Sequence, residues 1–296
     1  MRIGYACLLV GVEGTTIRTC RLDAATQERM ADLVSQNLGT LKRILDYNRA
    51  NNIHMFRISS DIIPFGSSKA VSFPWQTLYA EELQALGKKA NQYDIRLSMH
   101  PGQYTVLNSP HAHVVENAIR DLAYHCDFLD AMGMNATNKI ILHIGGIYGD
   151  KPAAIERFKS HYINLDDRIK QHLVIENDDT CYTIEDVLAI GKALKIPVVF
   201  DNLHHEINPS SASQSAQEWI AACAKTWSKK DGVQKIHYSQ QAESKREGSH
   251  SETIDLPTFL RFYKTLPTTD LDIMLEVKDK NMSAVKCIQA IDGVTS

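Results

Sequence analysis

Residues 139–146 read Lys-Ile-Ile-Leu-His-Ile-Gly-Gly, a short apolar run that leads to a histidine and then to two glycines. A run of this length bounded by turn residues predicts a buried strand, and a strand covered on both faces is typical of a parallel sheet. Five further apolar runs also lead to a histidine, an aspartate or a glutamate. With the first run included, the residues at these six strand ends are His100, His143, Glu176, Asp201, His237 and Glu276.

Strand and helix patterns alternate along all 296 residues. The predicted strands are 3–6, 54–59, 95–100, 139–143, 173–176, 196–201, 235–238 and 271–276. The predicted helices are 27–50, 79–92, a segment from about 110 to Gly133, 152–160, 183–194, 214–227, 256–265 and 283–291. Eight such pairs predict a (β/α)8 TIM barrel of the α/β class. A doubly wound open sheet is the alternative, but the chain lacks a glycine-rich turn directly after the first strand.

Composition sets broad limits on this chain. Hydrophobic residues make up 44% and charged residues 23%, as in ordinary globular proteins. We see no linker or low-complexity tract, so we expect one domain over residues 1–296. The six cysteines are scattered, which favours free thiols and a cytoplasmic location, and we expect neither a signal peptide nor a membrane span. The net charge of −3 neither supports nor excludes DNA, because bound divalent ions would add positive charge at the site.

Histidines and carboxylates at the carboxyl ends of parallel strands would meet at one mouth of the barrel. Such groups are costly to bury unless something pairs with them, and a metal cluster would pair with all six. Mixed imidazole and carboxylate ligands suit Zn or Mn better than Ca or Mg. Glu176, in the middle of the series, is the natural bridging ligand.

Other polar residues follow or precede the same strand ends. His204 lies three residues after Asp201, on a predicted loop above the mouth, although His205 could take its place. His250, in the loop after the seventh strand, has the weakest physical case. Lys235 lies two residues before His237 and faces the same way, so its amine must lose its charge, pair with a carboxylate or be modified. We treat as structural the remaining histidines, His54, His111, His113, His125, His161 and His172.

These residues, in this order, resemble the UV damage endonuclease family, (β/α)8 DNA-repair enzymes related to endonuclease IV. The resemblance covers nearly the whole chain. The matching segments are 56–60, 98–104, 143–149, 176–179, 200–201 with His204, 235–237 and 249–250.

The resemblance implies a cluster of two or three divalent ions, most commonly Mn, with Zn or Mg as alternatives. The implied ligands are His100, His143, Glu176, Asp201, His204, His237, His250 and Glu276, and the implied catalytic set is Glu176, Lys235, His237 and Glu276. Lys235 matches a position where the family carries a carboxylated lysine. Gln103 and Tyr104 match a pair that wedges into the duplex, and Tyr5 matches an aromatic residue of the lesion pocket. Ser68 stands where the family often has a histidine, a departure that affects the shell of one outer metal.

The implied activity is that of a metal-dependent endodeoxyribonuclease. Metal-activated water would hydrolyse the phosphodiester immediately 5′ of a pyrimidine dimer, a 6-4 photoproduct or possibly an abasic site in duplex DNA. The expected partner is damaged double-stranded DNA, bound by a monomer without an obligate protein partner or a membrane. The alternatives are a xylose-isomerase-like sugar isomerase or epimerase, an abasic-site endonuclease of the endonuclease IV type, and a non-catalytic barrel.

Overall fold

A computed structural model describes residues 1–211, 213–268 and 270–295. Within these residues eight parallel strands form a closed barrel, in which each strand pairs with the next one in the sequence and the eighth pairs with the first. The strands are β1 (Ile3–Ala6), β2 (Met55–Ile58), β3 (Arg96–Met99), β4 (Lys139–His143), β5 (Leu173–Glu176), β6 (Val198–Asp201), β7 (Gln234–Tyr238) and β8 (Leu271–Leu275). The predicted TIM barrel is confirmed, so the open-sheet alternative was wrong.

Helices surround this barrel. They are α1 (Gln27–Ala50), α2 (Trp75–Leu78), α3 (Ala80–Gln92), α4 (Ala112–Ala131), α5 (Lys151–Ile163), α6 (Asp167–His172), α7 (Ile184–Leu194), α8 (Asn202–Ile207), α9 (Ala216–Ala224), α10 (Leu256–Lys264) and α11 (Asn281–Thr295). The bounds of α1 agree with the prediction. The α7 helix starts as predicted from Thr183, which forms a capping box with Asp186.

Several elements differ from the sequence prediction. The segment after Asp201, predicted as a loop, is the short helix α8, because the Asp201 side chain accepts the N–H of His204 and starts a helical turn. The short helices α2 and α6 were not predicted, since four to six residues carry too little periodicity to detect. Strands β3 and β8 end one residue early, so His100 and Glu276 directly follow their strands.

Side chains alternate along each strand, and this alternation divides the strand residues between two environments. On β4, Ile140 and Leu142 belong to the large apolar core beneath the helices, whereas Ile141 packs with Val174 and Val199 in a separate buried cluster. The parity of Ile141 is shared by Lys139 and His143. The strand-end residues thus point into the barrel because they share the parity of its interior side chains.

No helix in the described part of the chain is long and apolar enough to cross a membrane.

Candidate metal centre

Glu176 lies at the end of β5 and is contacted by histidines from three other strands. Its Oε2 atom lies 3.2 Å from Nε2 of His100 and 3.1 Å from Nε2 of His143, and its Oε1 atom lies 2.5 Å from Nδ1 of His237. The side chain is only 1% exposed. Burial by itself would raise the pKa of Glu176, but its neighbours, chiefly His237, hold that pKa well below its ordinary value. Glu176 is therefore an ionised carboxylate at the centre of the barrel mouth.

His237 also connects Glu176 to Glu276. Its Nδ1 atom lies 3.1 Å from Oε1 of Glu276, and the same oxygen accepts a hydrogen bond of 2.5 Å from Nη1 of Arg57. Burial alone would raise the pKa of Glu276, whereas Arg57 and His237 lower it. Arg57, on β2, thus keeps a second buried carboxylate ionised at the mouth.

Asp201 and His204 form the third part of the site through α8. The Asp201 carboxylate accepts the backbone N–H of His204, and Nδ1 of His204 donates to the carbonyl of Asn177 at 2.9 Å. Since a carbonyl only accepts, Nδ1 of His204 carries a proton. Burial would lower the pKa of His204, but Asp201 and the nearby Glu176 raise it to about 9, so Nε2 is also protonated at neutral pH until a cation displaces that proton. The ring of His204 lies 5.6 Å from that of His143. The short helix α8 therefore directs Nε2 of His204, a nitrogen able to bind a metal, toward the other strand ends.

The polar atoms of this mouth are arranged for a cation. Nδ1 of His100 donates to the carbonyl of Pro101, so the lone pair of its Nε2 atom faces the Glu176 carboxylate. At neutral pH neither Nε2 nor the carboxylate oxygen carries a proton that could form a hydrogen bond between them. In the part of the chain that the structure describes, four buried atoms here have no hydrogen-bond partner: Oε1 of Glu176, Oδ2 of Asp201 and both ring nitrogens of His237. Ligand atoms lie within 4.8 Å of one another in three groups, which are His100, His143 and Glu176; Glu176, Asp201 and His204; and Asp201, His237 and Glu276. These groups could hold divalent metal ions, and Glu176 and Asp201 each belong to two of them.

Lys235 lies inside the barrel, two residues below His237 on β7. Its side chain is fully buried and Nζ has no hydrogen-bond partner among the described residues. Burial, together with the nearby charges of Arg96 and Arg57, lowers the pKa of this amine well below its ordinary value. Of the three possibilities left open by the sequence, pairing with a carboxylate was wrong, because Asp272 bonds Arg96 instead.

Gln103 and Tyr104 lie at the tip of the loop that follows β3. Both are exposed, Tyr104 by 69%. The base of the loop is fixed, because Thr105 donates to Asp121 of α4 at 2.6 Å and Asn108 donates to the carbonyl of Gly146 at 2.7 Å. The anchored loop holds these two side chains out into solvent beside His100.

Other predicted residues lie elsewhere. Tyr5 points away from the mouth, is fully buried and donates to Asn48 of α1 at 2.8 Å, so a contact with DNA would require the ring to leave the core. His205, the alternative to His204, packs against Phe200 and Trp219. His250 pairs its backbone with Gln241 and is not part of the three ligand groups found among the described residues. Ser68, half-buried, accepts the N–H of Ala70 and also lies outside these groups.

Sequence reasoning missed several supporting residues. Arg57 was quoted only as part of a matching segment, yet it contacts Glu276. Asn177 exchanges hydrogen bonds with the backbone of Asp201 and aligns β5 with β6. Asp178 is 7% exposed and accepts three backbone N–H groups of residues 180–182. The position of Asn177 and Asp178 directly after Glu176 was the available signal.

Comparisons with known proteins agree with this geometry. The model of the UV-endonuclease UvdE family matches residues 1–296. The chain is 45% identical over 295 residues to the UV DNA damage endonuclease of Clostridium perfringens (strain 13 / Type A), covering 99% of this chain and 71% of that protein. It is 35% identical over 271 residues to the UV DNA damage endonuclease of Bacillus thuringiensis subsp. konkukian (strain 97-27), covering 90% of this chain and 84% of that protein.

Solved structures separate this family from other barrels. The crystal structure of SacUVDE is 36% identical and superposes with a TM-score of 0.94, covering 100% of this chain and 99% of that chain. Endonuclease IV from Thermus thermophilus is 13% identical with a TM-score of 0.55, covering 98% of each chain, and shares the fold alone. With the family matched over every residue and the strand-end histidines and carboxylates gathered at one mouth, the chain belongs to the UV-endonuclease UvdE family.

Proposed function

We propose that this protein is a metal-dependent DNA-repair endonuclease that nicks duplex DNA immediately 5′ of UV lesions. The observation that carries the metal dependence is the Nε2 lone pair of His100 facing the ionised Glu176 at 3.2 Å. Two hydrogen-bond acceptors repel each other at that distance, and a cation between them converts the repulsion into two bonds.

The proposed metal ligands are the residues of the three ligand groups, in which Glu176 and Asp201 each occur twice and so could contribute to more than one ion. His250 is proposed as a further ligand because it lies on the loop after β7. That loop reaches the segment after β5, where Gly248 comes close to the Asp179 carboxylate. Manganese is the proposed native ion, with Zn or Mg as alternatives that the same donors accept.

Divalent ions bound there would supply activated water and offset the charge that develops on the phosphate. The protein's own part is to keep its ligands in the right protonation state. Arg57 holds Glu276 ionised, and the carbonyls of Pro101 and Asn177 fix the tautomers of His100 and His204. The unprotonated amine of Lys235 is able to react with carbon dioxide, which supports the proposed carboxylated lysine below His237.

Gln103 and Tyr104 are proposed to enter the duplex at the lesion. An exposed aromatic ring on an anchored loop provides a stacking surface, and the amide provides hydrogen bonds to an unpaired base. A damaged base pair costs less to unstack than an intact one, which is a source of lesion selectivity.

The test is incision of a labelled duplex with a single pyrimidine dimer in Mn²⁺, beside undamaged and abasic duplexes. We expect a cut immediately 5′ of the dimer, and no cut after EDTA treatment. Cutting of the abasic duplex alone would instead indicate an activity of the endonuclease IV type. If metal-loaded protein cuts no duplex, the proposal is wrong.

A further inference from the structure

A second group of metal-type side chains lies at the opposite end of the barrel from the mouth. Cys126 and Asp130 are one helical turn apart on α4, and His172 ends α6 immediately before β5 begins. The α4 and α6 helices pack against each other here. Because His172 precedes β5 and Glu176 ends it, the two groups are separated by the length of that strand.

The three side chains have the spacing of metal ligands. The Cys126 Sγ atom lies 3.6 Å from Oδ2 of Asp130, and Nε2 of His172 lies 3.6 Å from Oδ1 of the same carboxylate. One sulfur, one nitrogen and one carboxylate oxygen lie within 4.8 Å of one another. Zinc–ligand bonds in a tetrahedron place neighbouring ligand atoms about 3.3–3.7 Å apart. The group therefore needs only a small inward movement to hold one ion.

The orientation of His172 is independent support for a ligand. Its side chain is 1% exposed, and Nδ1 donates to the carbonyl of Asn138 at 2.6 Å. This hydrogen bond fixes the tautomer, so Nε2 has a lone pair, and Nε2 is buried without a hydrogen-bond partner. An imidazole that donates one nitrogen to a carbonyl and leaves the other free is the usual arrangement of a metal-binding histidine.

We propose that Cys126, Asp130 and His172 form a second metal site, separate from the barrel mouth, that binds a zinc-type cation and ties α4 to the start of β5. Sulfur, nitrogen and oxygen ligands together favour zinc over the ions that prefer oxygen alone. Water would complete a tetrahedron, and it has access because Asp130 also lines an open groove at the surface. Binding takes up the ion and releases the proton of the Cys126 thiol to solvent.

The charged groups around Asp130 are compatible with a bound cation. Arg168 contacts Oδ2 of Asp130 at 3.1 Å and is the competing cation. It also contacts Asp127 at 3.2 Å and Asp166 at 3.7 Å, so it keeps two partners when Asp130 turns to a metal. Burial lowers the pKa of His172, which keeps the imidazole unprotonated at neutral pH. Burial likewise raises the pKa of Cys126 to about 12, so without a metal the thiol keeps its proton.

Cobalt(II) distinguishes this site from the mouth, because thiolate bound to Co²⁺ gives a near-ultraviolet charge-transfer band that nitrogen and oxygen ligands do not give. We expect metal-free full-length protein titrated with Co²⁺ to show the band. The band should disappear in Cys126→Ser. In Asp130→Asn the affinity of the site for Co²⁺ should fall by at least about tenfold. Asp130 is partly exposed, so Asp130→Asn keeps the test valid if Cys126→Ser does not fold.

The matched control is Cys7→Ser with Cys181→Ser, which removes the thiols on the loops after β1 and β5. The band should persist in this control. Zinc content, measured after dialysis against a Zn²⁺ buffer set near the Kd of the wild-type site, should be lower in Asp130→Asn than in the control. No band in the wild-type protein, a band that survives Cys126→Ser, or equal zinc content in Asp130→Asn and the control would each overturn the proposal. Because none of these measurements uses DNA cleavage, they remain independent of the proposed function.

Discussion

Three histidines meet one carboxylate at Glu176, and this single residue connects the strand ends on both sides of the mouth. It is the carboxylate whose two oxygens contact different histidines, His100 and His143 on one and His237 on the other. Replacement of the carboxylate by an amide preserves its shape but removes the negative charge that two ions would share.

For this reason Glu176→Gln should lower the rate of dimer-directed incision by at least about 100-fold, with the far-ultraviolet circular dichroism unchanged. Metal content, measured by mass spectrometry, should fall together with the rate. The control is Glu116→Gln, at an exposed position on α4. Incision by Glu176→Gln at a rate close to that of the control would contradict the assignment of Glu176 as a metal ligand.

Lys139 shows at the residue scale how burial makes stability depend on pH. It is fully buried and donates to Asp231 and to the carbonyl of Gln171, both at 2.8 Å. Burial lowers its pKa to about 8, although Asp231 opposes that shift. Between about pH 8 and the ordinary lysine pKa of about 10.4, the unfolded chain holds a proton that the folded chain has released. A rise in pH through this window therefore favours the folded state.

We expect the free energy of unfolding of the wild type, relative to Lys139→Met, to increase between pH 8 and pH 10.4 by an amount on the order of 3 kcal/mol. Urea unfolding of both proteins at several pH values measures this difference, and groups common to both cancel. A difference that stays flat over the window, or falls, would show that Lys139 remains charged in the folded protein.

At the scale of elements, the loop after β3 combines a fixed base with a free tip. The hydrogen bonds of Thr105 to α4 and of Asn108 to the β4 loop hold its base, whereas Tyr104 is mostly exposed. This division predicts that the tip can be altered without disturbing the metal ligands.

Accordingly, Gln103→Ala combined with Tyr104→Ala should weaken binding to a dimer-containing duplex by about 5- to 150-fold, as expected for the loss of one stacked base. Metal content should not change. Tyr104→Phe, which keeps the ring, should retain most of the affinity in a fluorescence anisotropy titration. Loss of metal from the double variant would contradict the wedge assignment.

Replacement of a helical glycine by alanine should have opposite effects on stability at two positions, because their surroundings differ. A Cβ on Gly87 of α3 would lie 1.7 Å from the carbonyl oxygen of Met132, whereas a Cβ on Gly39 of α1 would meet nothing within 4 Å. Gly87→Ala should therefore destabilise the protein by about 1–3 kcal/mol or more, and Gly39→Ala should stabilise it by about 0.5–1 kcal/mol. Thermal unfolding of the two variants gives the comparison, and equal shifts would show that α3 moves freely away from the end of α4.

For the whole molecule, the two ends of the barrel differ in the chemistry of their buried charges. Arg96 bonds Asp272 and Lys139 bonds Asp231 at the amino end, so these charges are paired within the protein. At the mouth, carboxylates and imidazole lone pairs face one another with several atoms left without partners. The barrel thus pairs these buried charges at its amino end and gathers acidic and imidazole groups at its mouth.

The sequence by itself determined the barrel and the ring of strand-end histidines and carboxylates. Both depend on local patterns, since a short apolar run predicts a strand and its final residue lies at the carboxyl edge wherever the strand packs. Parallel pairing of successive strands then brings His100, His143, Glu176, Asp201, His237 and the neighbouring Glu276 together without further information.

Only the tertiary structure decided which way each remaining polar side chain turns and what it meets. Tyr5 has the opposite strand parity to Gly4 and Ala6 and meets Asn48, 43 residues away. Among the described residues Lys235 has no hydrogen-bond partner because Arg96 takes the carboxylate of Asp272, and Cys126 meets His172 because α4 packs on α6. Such contacts join residues that are distant in the sequence, and they are fixed by the packing of whole elements rather than by any local pattern.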